Sequence, residues 1–306
     1  MPQVSVIIPT YKHCDFVMAT LDSVFAQTFT DYEVIVVNDG SPDDTADVLR
    51  PLAQAGRIRY VEQENRGQGA ARNRGIGEAR GEFIALLDDD DLWPPDKLEW
   101  QTKALQEDLQ AVLVYGRVSL VESDFSLSTS GGIQQDSATD DDPPSGFVLE
   151  EFLKQNWIYS PGQTLIRRES LTQINGFDES IWGADDYDLY IRLAALSTFA
   201  HKNCLGLYYR QHAHNASKNM RRMYKNVCAV RQKHLGLVPS WRNYRLWTAN
   251  YRFWHDLYLD QMIHGTRIAI HQKDKIKARA MWIDAFRMPP RLSHSRYMLY
   301  LMRQLW

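Results

Sequence analysis

The sequence predicts an α/β fold: a mostly parallel central sheet with helices on both faces, followed by a basic, aromatic helical extension. Three observations carry this. Short β-rich runs alternate with helix-period segments from residue 4 to residue 87, the order expected of parallel strands joined by crossover helices. Charge is divided along the chain. Residues 1–200 hold 15 Lys and Arg against 34 Asp and Glu, whereas residues 201–306 hold 20 against only Asp256, Asp260, Asp274 and Asp284. After residue 218 the texture changes to basic helices rich in aromatic residues. The expected division is a domain over 1–218 and an extension over 219–306.

The elements follow in order. Val4-Ser5-Val6-Ile7-Ile8 reads as the first strand, ended by Pro9. Residues 15–27 read as a helix, with Phe16, Ala19, Thr20, Val24 and Phe25 near one face. Val34-Ile35-Val36-Val37 is the second strand, closed by Asn38-Asp39-Gly40. Ser41-Pro42-Asp43-Asp44 opens a helix with cap chemistry and a proline in its first turn. Ile58-Arg59-Tyr60-Val61 is the third strand, residues 67–79 a helix, and residues 82–87 the fourth strand. Residues 122–146 are polar and rich in breakers, and read as a long loop that helps shape a binding pocket. Structure resumes over Phe147 to Leu153. In residues 241–262, Tyr244, Trp247, Tyr251, Trp254, Tyr258 and Met262 fall on one helical face, which is expected to pack on the first domain or a partner helix. The last segment, Arg291 to Trp306, mixes apolar and aromatic residues with Arg291, Arg296 and Arg303. That combination suits peripheral contact with an anionic membrane.

Composition narrows the classes. With 44% apolar and 24% charged residues, the chain reads as a globular protein. No apolar run approaches the roughly 18 residues of a membrane span. No basic region precedes the first apolar run, so no secretory signal is expected. Cys14, Cys204 and Cys228 form no ligand motif and are expected to be reduced thiols of a cytosolic protein. The extension has no recognisable nucleic-acid motif, and no nucleic-acid partner is expected.

The most informative junction is Asp88-Asp89-Asp90-Asp91, between the apolar run Phe83–Leu87 and Leu92-Trp93-Pro94-Pro95. Four carboxylates at a strand end repel one another unless a cation sits among them. Mg2+ or Mn2+ takes carboxylate oxygens and keeps open positions for phosphates. A solvated acidic turn capping the next helix is the plain alternative. Other strand ends also offer nucleotide chemistry. Pro9-Thr10-Tyr11 presents a hydroxyl and a ring that can stack on a base, and Asp39 can accept from a base N–H. In Asn65-Arg66-Gly67-Gln68-Gly69-Ala70-Ala71-Arg72, glycines allow close backbone approach and Arg72 falls in the first turns of a helix. The chain has no P-loop, and its Gly-x-Gly follows the third strand rather than the first, unlike a dinucleotide fingerprint. A second acidic cluster, Trp182-Gly183-Ala184-Asp185-Asp186-Tyr187-Asp188, opens a helix: an ordinary cap, or a general base facing a sugar hydroxyl. Tyr209-Arg210-Gln211-His212-Ala213-His214-Asn215-Ala216-Ser217 reads as a solvated basic loop or as a site for metal and phosphate.

In this order, these motifs resemble the family 2 glycosyltransferases over roughly residues 3–218. The resemblance also includes Asn175-Gly176-Phe177-Asp178-Glu179 and Tyr-Arg-x-His-x-x-Asn-x-Ser. It implies a GT-A fold and a sugar transferred from a nucleotide-diphosphate sugar, with a UDP-sugar favoured. Pro9, Thr10, Tyr11, Asp39, Arg72, Asp88 and Asp89 would bind the nucleotide. Asp90, Asp91 and His212 would hold a divalent metal, Mn2+ or Mg2+. Asp186 would be the catalytic base of an inverting displacement. Asp185 stands where the family usually has Glu, and with Trp182, Arg210 and Ser217 would lie near acceptor or phosphate. The acceptor would be a hydroxyl of a glycan or lipid-linked molecule, the setting cytoplasmic and peripheral on the inner face of a membrane. A sugar nucleotidyltransferase, and a non-enzymatic basic RNA- or lipid-binding protein carrying a degenerate transferase domain, are the competing readings.

Overall fold

The computed structural model describes residues 1–122, 142–212, 215 and 220–287. Most of the expected loop at 122–146, Ser217 and the amphipathic segment from Arg291 lie outside the described residues. The chain divides into two compact units, Met1–Phe152 with Asn156–Asn215, and Leu153–Gln155 with Ala216–Trp306.

In the first unit, β1 (Val4–Thr10), β2 (Tyr32–Asn38), β3 (Arg59–Glu62), β4 (Phe83–Leu86), β5 (Ala111–Glu122), β6 (Thr164–Arg167) and β7 (Thr198–Gln211) form one sheet. Its order is β3-β2-β1-β4-β6-β5-β7. The pairs β1–β2, β1–β4, β2–β3 and β5–β7 are parallel, and β6 alone runs against its neighbours β4 and β5. The helices are α1 (Val17–Phe25), α2 (Thr45–Gln54), α3 (Gln68–Glu78), α4 (Lys97–Glu107), α5 (Leu149–Lys154), α6 (Arg168–Gln173) and α7 (Asp185–Ala194).

Alternation along the strands separates two apolar faces. Val4, Val6 and Ile8 of β1, Val34 and Val36 of β2, and Phe83 and Ala85 of β4 share a core with Val17, Leu21 and Val24 of α1, Leu49 of α2 and Leu98 and Leu105 of α4. On the opposite face α3 lies close to β1: a Cβ at Gly75 would strike the side chain of Ile7. Helices therefore cover both faces, as expected.

Pro9 does not end the first strand. It pairs in register with Val37, and the strand runs on to Thr10. Ile7 and Thr10 turn their carbonyls to opposite neighbours, Ile7 to Leu87 and Thr10 to Asp39. By alternation Pro9 faces the β4 side, one step past the point where β4 stops, so its missing N–H deprives no ladder partner. Tyr209, Arg210 and Gln211 also differ from the loop reading, because they form the end of β7.

In the second unit, α8 (Met220–Lys233), α9 (Ser240–His271) and α10 (Lys275–Arg287) pack together. Tyr258, Leu259, Met262 and Ile263 of α9 are buried against Met223 and Tyr224 of α8 and Trp282 of α10. Trp254 stacks on Tyr258 with centroids 5.7 Å apart. Trp254, Tyr258 and Met262 of the aromatic stripe thus lie in a seam within the extension, against its other helices. Among the described residues no helix is long and apolar enough to cross a membrane.

Candidate functional site

The acidic run emerges where β4 ends, so its four carboxylates leave the sheet at a shared edge and must be separated by whatever they bond. The structure gives each a different partner. Asp88 accepts from Arg72 Nη2 at 2.7 Å and Gln68 Nε2 at 3.0 Å. Asp89 accepts from the Tyr11 N–H at 3.3 Å and lies 2.7 Å from His13 Nδ1. Asp90 lies 2.8 Å from His212 Nε2. Asp91 turns inward, fully buried, and accepts from the Arg210 N–H at 3.0 Å and Ser160 Oγ at 3.4 Å. Beneath them the Thr20 hydroxyl of α1 meets the carbonyls of Asp89 and Asp91 at 2.9 and 2.8 Å, fastening the turn to the first helix.

Electrostatics follow from this packing. Burial raises the pKa of Asp89, and burial together with the charges of Asp90 and Asp88 raises that of Asp91 well above the carboxylate range. The hydrogen bond to Asp89 lifts His13 to about 9 against the opposing effect of burial. His13 is therefore cationic at neutral pH and partly offsets the acidic run. Its ring sits edge-on to Phe16 and to His212, with centroids 5.6 and 5.8 Å apart, and the Arg210 guanidinium lies 4.7 Å over the Phe16 ring.

Arg72 ties the two acidic clusters together. It is 2% exposed and gives Nη2 to Asp88 and Nη1 to Asp185, the latter at 2.9 Å. Burial works against its charge, but the two carboxylates more than offset that and raise its pKa. The neighbouring Asn73 clamps the segment ahead of α7, accepting the Phe177 N–H at 2.8 Å and donating to its carbonyl at 2.9 Å. Asn175 and Gly176 before it are both left-handed, with φ of 60° and 64°, which favours these two residue types. A Cβ at Gly176 would overlap Asn73 Oδ1. The Arg72-Asn73 and Asn175-Gly176-Phe177 motifs are thus two halves of one contact, and it delivers Asp185 and Asp186 to the first turn of α7.

Asp186 differs from Asp185. It is partly exposed, and its Oδ1 accepts the Tyr187 N–H at 2.7 Å. Desolvation, then the charge of Asp185, pushes its pKa up to about 7. A carboxylate poised there can accept a proton near neutrality.

Of the other expected residues, Pro9 and Thr10 are buried at the end of β1, and Tyr11 is 39% exposed just beyond. Asp39 caps the loop after β3, accepting Gln63 Nε2 and the Arg66 and Gly67 amides at 2.8–2.9 Å. A carboxylate has about four lone-pair positions, which leaves room for one further donor. Trp182 is partly buried, one residue before the left-handed Gly183. Sequence reasoning missed His13, Thr20, Ser160 and Asn215. Asn215 closes the turn after β7 by accepting the His212 N–H at 2.6 Å and donating to the Arg210 carbonyl at 3.1 Å. Its place in Tyr-Arg-x-His-x-x-Asn was the available signal.

Among the described residues no three His, Cys, Asp or Glu side chains converge on one point. Mg2+ and Mn2+ in nucleotide enzymes need fewer, because one or two protein ligands plus substrate phosphates suffice. Asp90 and His212, already in contact, form such an oxygen and imidazole pair. Asp91, expected beside them as a ligand, is fully buried and accepts the Arg210 N–H of β7.

Comparison with known proteins shows the family and the fold. The profile described as "Glycosyl transferase family 2" matches residues 5–174. The chondroitin synthase of Escherichia coli is 31% identical over 218 residues, covering 71% of this chain and 30% of that protein. The hyaluronan synthase of Pasteurella multocida is 31% identical over 66% of this chain and 20% of that protein. The chain spans about a third of the length of the first curated relatives it matches. S. aureus TarS 1–349 in complex with UDP-GlcNAc superposes with a TM-score of 0.66 at 16% identity, covering 100% of this chain and 88% of that one. The mannosyltransferase PcManGT from Pyrobaculum calidifontis, in complex with GDP-Man and Mn2+, gives 0.62 at 20% identity, covering 99% and 84%. At such identities the two superpositions establish the fold, GT-A.

Proposed function

The chain belongs to glycosyl transferase family 2, and from that membership we propose that it is an inverting transferase, moving a sugar from a UDP-sugar to a hydroxyl of a glycan or lipid-linked acceptor. Membership sets aside the sugar nucleotidyltransferase alternative. The observation that carries the proposal is the contrast between two adjacent carboxylates. Asp185 is committed to Arg72, while Asp186 is partly exposed and raised to about 7.

In the proposed reaction Asp186 takes the proton of the acceptor hydroxyl. The oxygen attacks the anomeric carbon as the bond from that carbon to the nucleotide diphosphate breaks, and the bonding pair leaves with the diphosphate. A single displacement inverts the anomeric centre, so an α-linked donor gives a β-linked product. A divalent ion, Mn2+ or Mg2+, held by Asp90 and His212 would neutralise charge on the diphosphate. Arg210 and His13 add positive charge on the same side. Pro9, Thr10, Tyr11 and Asp39 would border the base. Arg72 holds Asp88 and Asp185 in place.

A thermal-shift panel of UDP, GDP and CDP, each with and without Mn2+, tests the donor assignment. Metal-dependent stabilisation by UDP is expected, and no shift with any nucleotide would refute it. Peripheral attachment to the inner face of a membrane through residues 291–306 belongs to the same proposal. Failure to co-sediment with anionic liposomes at low salt would remove it.

A further inference from the structure

The segment entering β6 holds an aromatic ring out into solvent beside the acidic run. Because β6 runs against β4, its start lies at the edge where Asp88–Asp91 emerge, and Ser160 reaches Asp91 there. The backbone is tightly fixed. Gln163 Oε1 accepts the N–H groups of Tyr159 and Ser160 at 2.6 and 3.1 Å, and Gln163 Nε2 donates to the Gly116 carbonyl of β5 at 2.8 Å. Ser160 Oγ accepts the Gly162 N–H and completes a capping box. Ile158 and Ser160 are 0% and 3% exposed, yet Tyr159 between them is 53% exposed. Its ring is braced edge-on by Tyr209 of β7, with centroids 4.9 Å apart and planes at 79°. Burial, and the charge of Asp91, raise the pKa of its phenol.

Exposed aromatic surface contributes nothing to folding, since the gain comes from removing such surface from water. Here a capping box and a second tyrosine nevertheless hold one ring in a fixed orientation next to the reacting end of the sheet. A ring face carries negative quadrupole density, which attracts the weakly positive C–H face of a pyranose while the sugar hydroxyls stay free to bond polar groups.

We propose that Tyr159, backed by Tyr209, is the platform on which a sugar ring of a saccharide acceptor lies. The proposal rests on the transferase reading above and names its acceptor class. The test is saturation-transfer-difference NMR on the full chain with UDP and Mn2+ present, using hexasaccharides of hyaluronan, chondroitin and N-acetylglucosamine as probes. At least one should receive saturation at its ring C–H protons. The signal should fall at least about fivefold in Tyr159→Ala and persist in Tyr159→Phe, which keeps the ring. Thermal stabilisation by UDP with Mn2+ should be equal in all three proteins. Absence of transfer to every hexasaccharide, or transfer that survives Tyr159→Ala, overturns the platform while leaving the transferase reading standing. Absence of a UDP shift in the wild type overturns the transferase reading and the platform with it.

Discussion

Replacing Asp186 by Asn should stabilise the protein and silence it. The wild-type carboxyl titrates near 3.8 when unfolded and about 7 when folded, so the folded state holds its proton more tightly. Stability from this group is fully present below the unfolded value and is lost as pH rises through about 7. Each pH unit between the two values is worth ~1.4 kcal/mol, so ionising Asp186 at pH 8 costs the fold up to ~4 kcal/mol. Part of that has already been lost at pH 5. Asn titrates nowhere in this range. Urea unfolding at pH 5 and pH 8 should therefore show the advantage of Asp186→Asn growing by roughly 2–3 kcal/mol between them. Part of that growth comes from relief of Asp185, whose charge is the second cause of the shift. Transfer should fall by about 10²–10⁴ in kcat, the usual worth of a general base. An advantage that is equal at both pH values, or a variant less stable at pH 8, would refute the idea that a strained carboxylate is stored at this position. Near-normal transfer by the variant would refute its role as base.

Other perturbations read other parts of the site. Arg72→Met strands Asp88 and Asp185 without their shared cation and should destabilise by about 3–5 kcal/mol; unchanged urea unfolding at pH 8 would contradict the pairing. His212→Ala and Asp90→Ala should each weaken the Mn2+-dependent part of UDP stabilisation, by the equivalent of about 10–100-fold in affinity, while the metal-free part remains; an unaltered Mn2+ increment would move the metal elsewhere. His13, raised to about 9, lends stability that is complete below pH 6.5 and fades as pH climbs through 9. His13→Gln should cost ~1–2 kcal/mol at pH 6, allowing for solvent screening, and little at pH 10, measured by urea unfolding.

Much of the first half of the fold is legible because its signals are local. The apolar runs at 4–8, 34–37, 58–61 and 82–87 are short, bounded by turn residues and separated by helix-period segments, and each lies within two residues of an observed strand. The second half hides its strands. β5 is broken by Gly116, Arg117 and Ser119 within its apolar run, and β6 is only four residues long. The motif ending in His212 looks like a solvated loop because it is basic, and only tertiary packing reveals that Arg210 is 2% exposed. The acidic run is visible from sequence as chemistry, but its division of labour is not. Which aspartate meets a histidine, which an arginine and which a backbone amide depends on elements scattered along the chain, from Arg72 for Asp88 and His13 for Asp89 to His212 for Asp90 and Arg210 for Asp91. Pro9 misled for a related reason, since its tolerance depends on where a neighbouring strand happens to stop.

The pairing of β7 with β5 also bears on how the protein assembles. Ala111 finds Thr198 and Glu122 finds Gln211, so this parallel ladder closes only after a long intervening chain has been gathered in, a slow and entropically costly step. The β1–β2–β3 ladder links much nearer segments and can form early. Arg210 and His212 ride on the late strand, so the carboxylates at the end of β4 meet their counterparts only in the closing stage of folding. Leu92 and Tyr208 exchange backbone hydrogen bonds across that closing seam. In pulse-labelled refolding their amides should gain protection after those of Ile35 and Val36, and chemical competence should appear with them rather than with the bulk of the sheet.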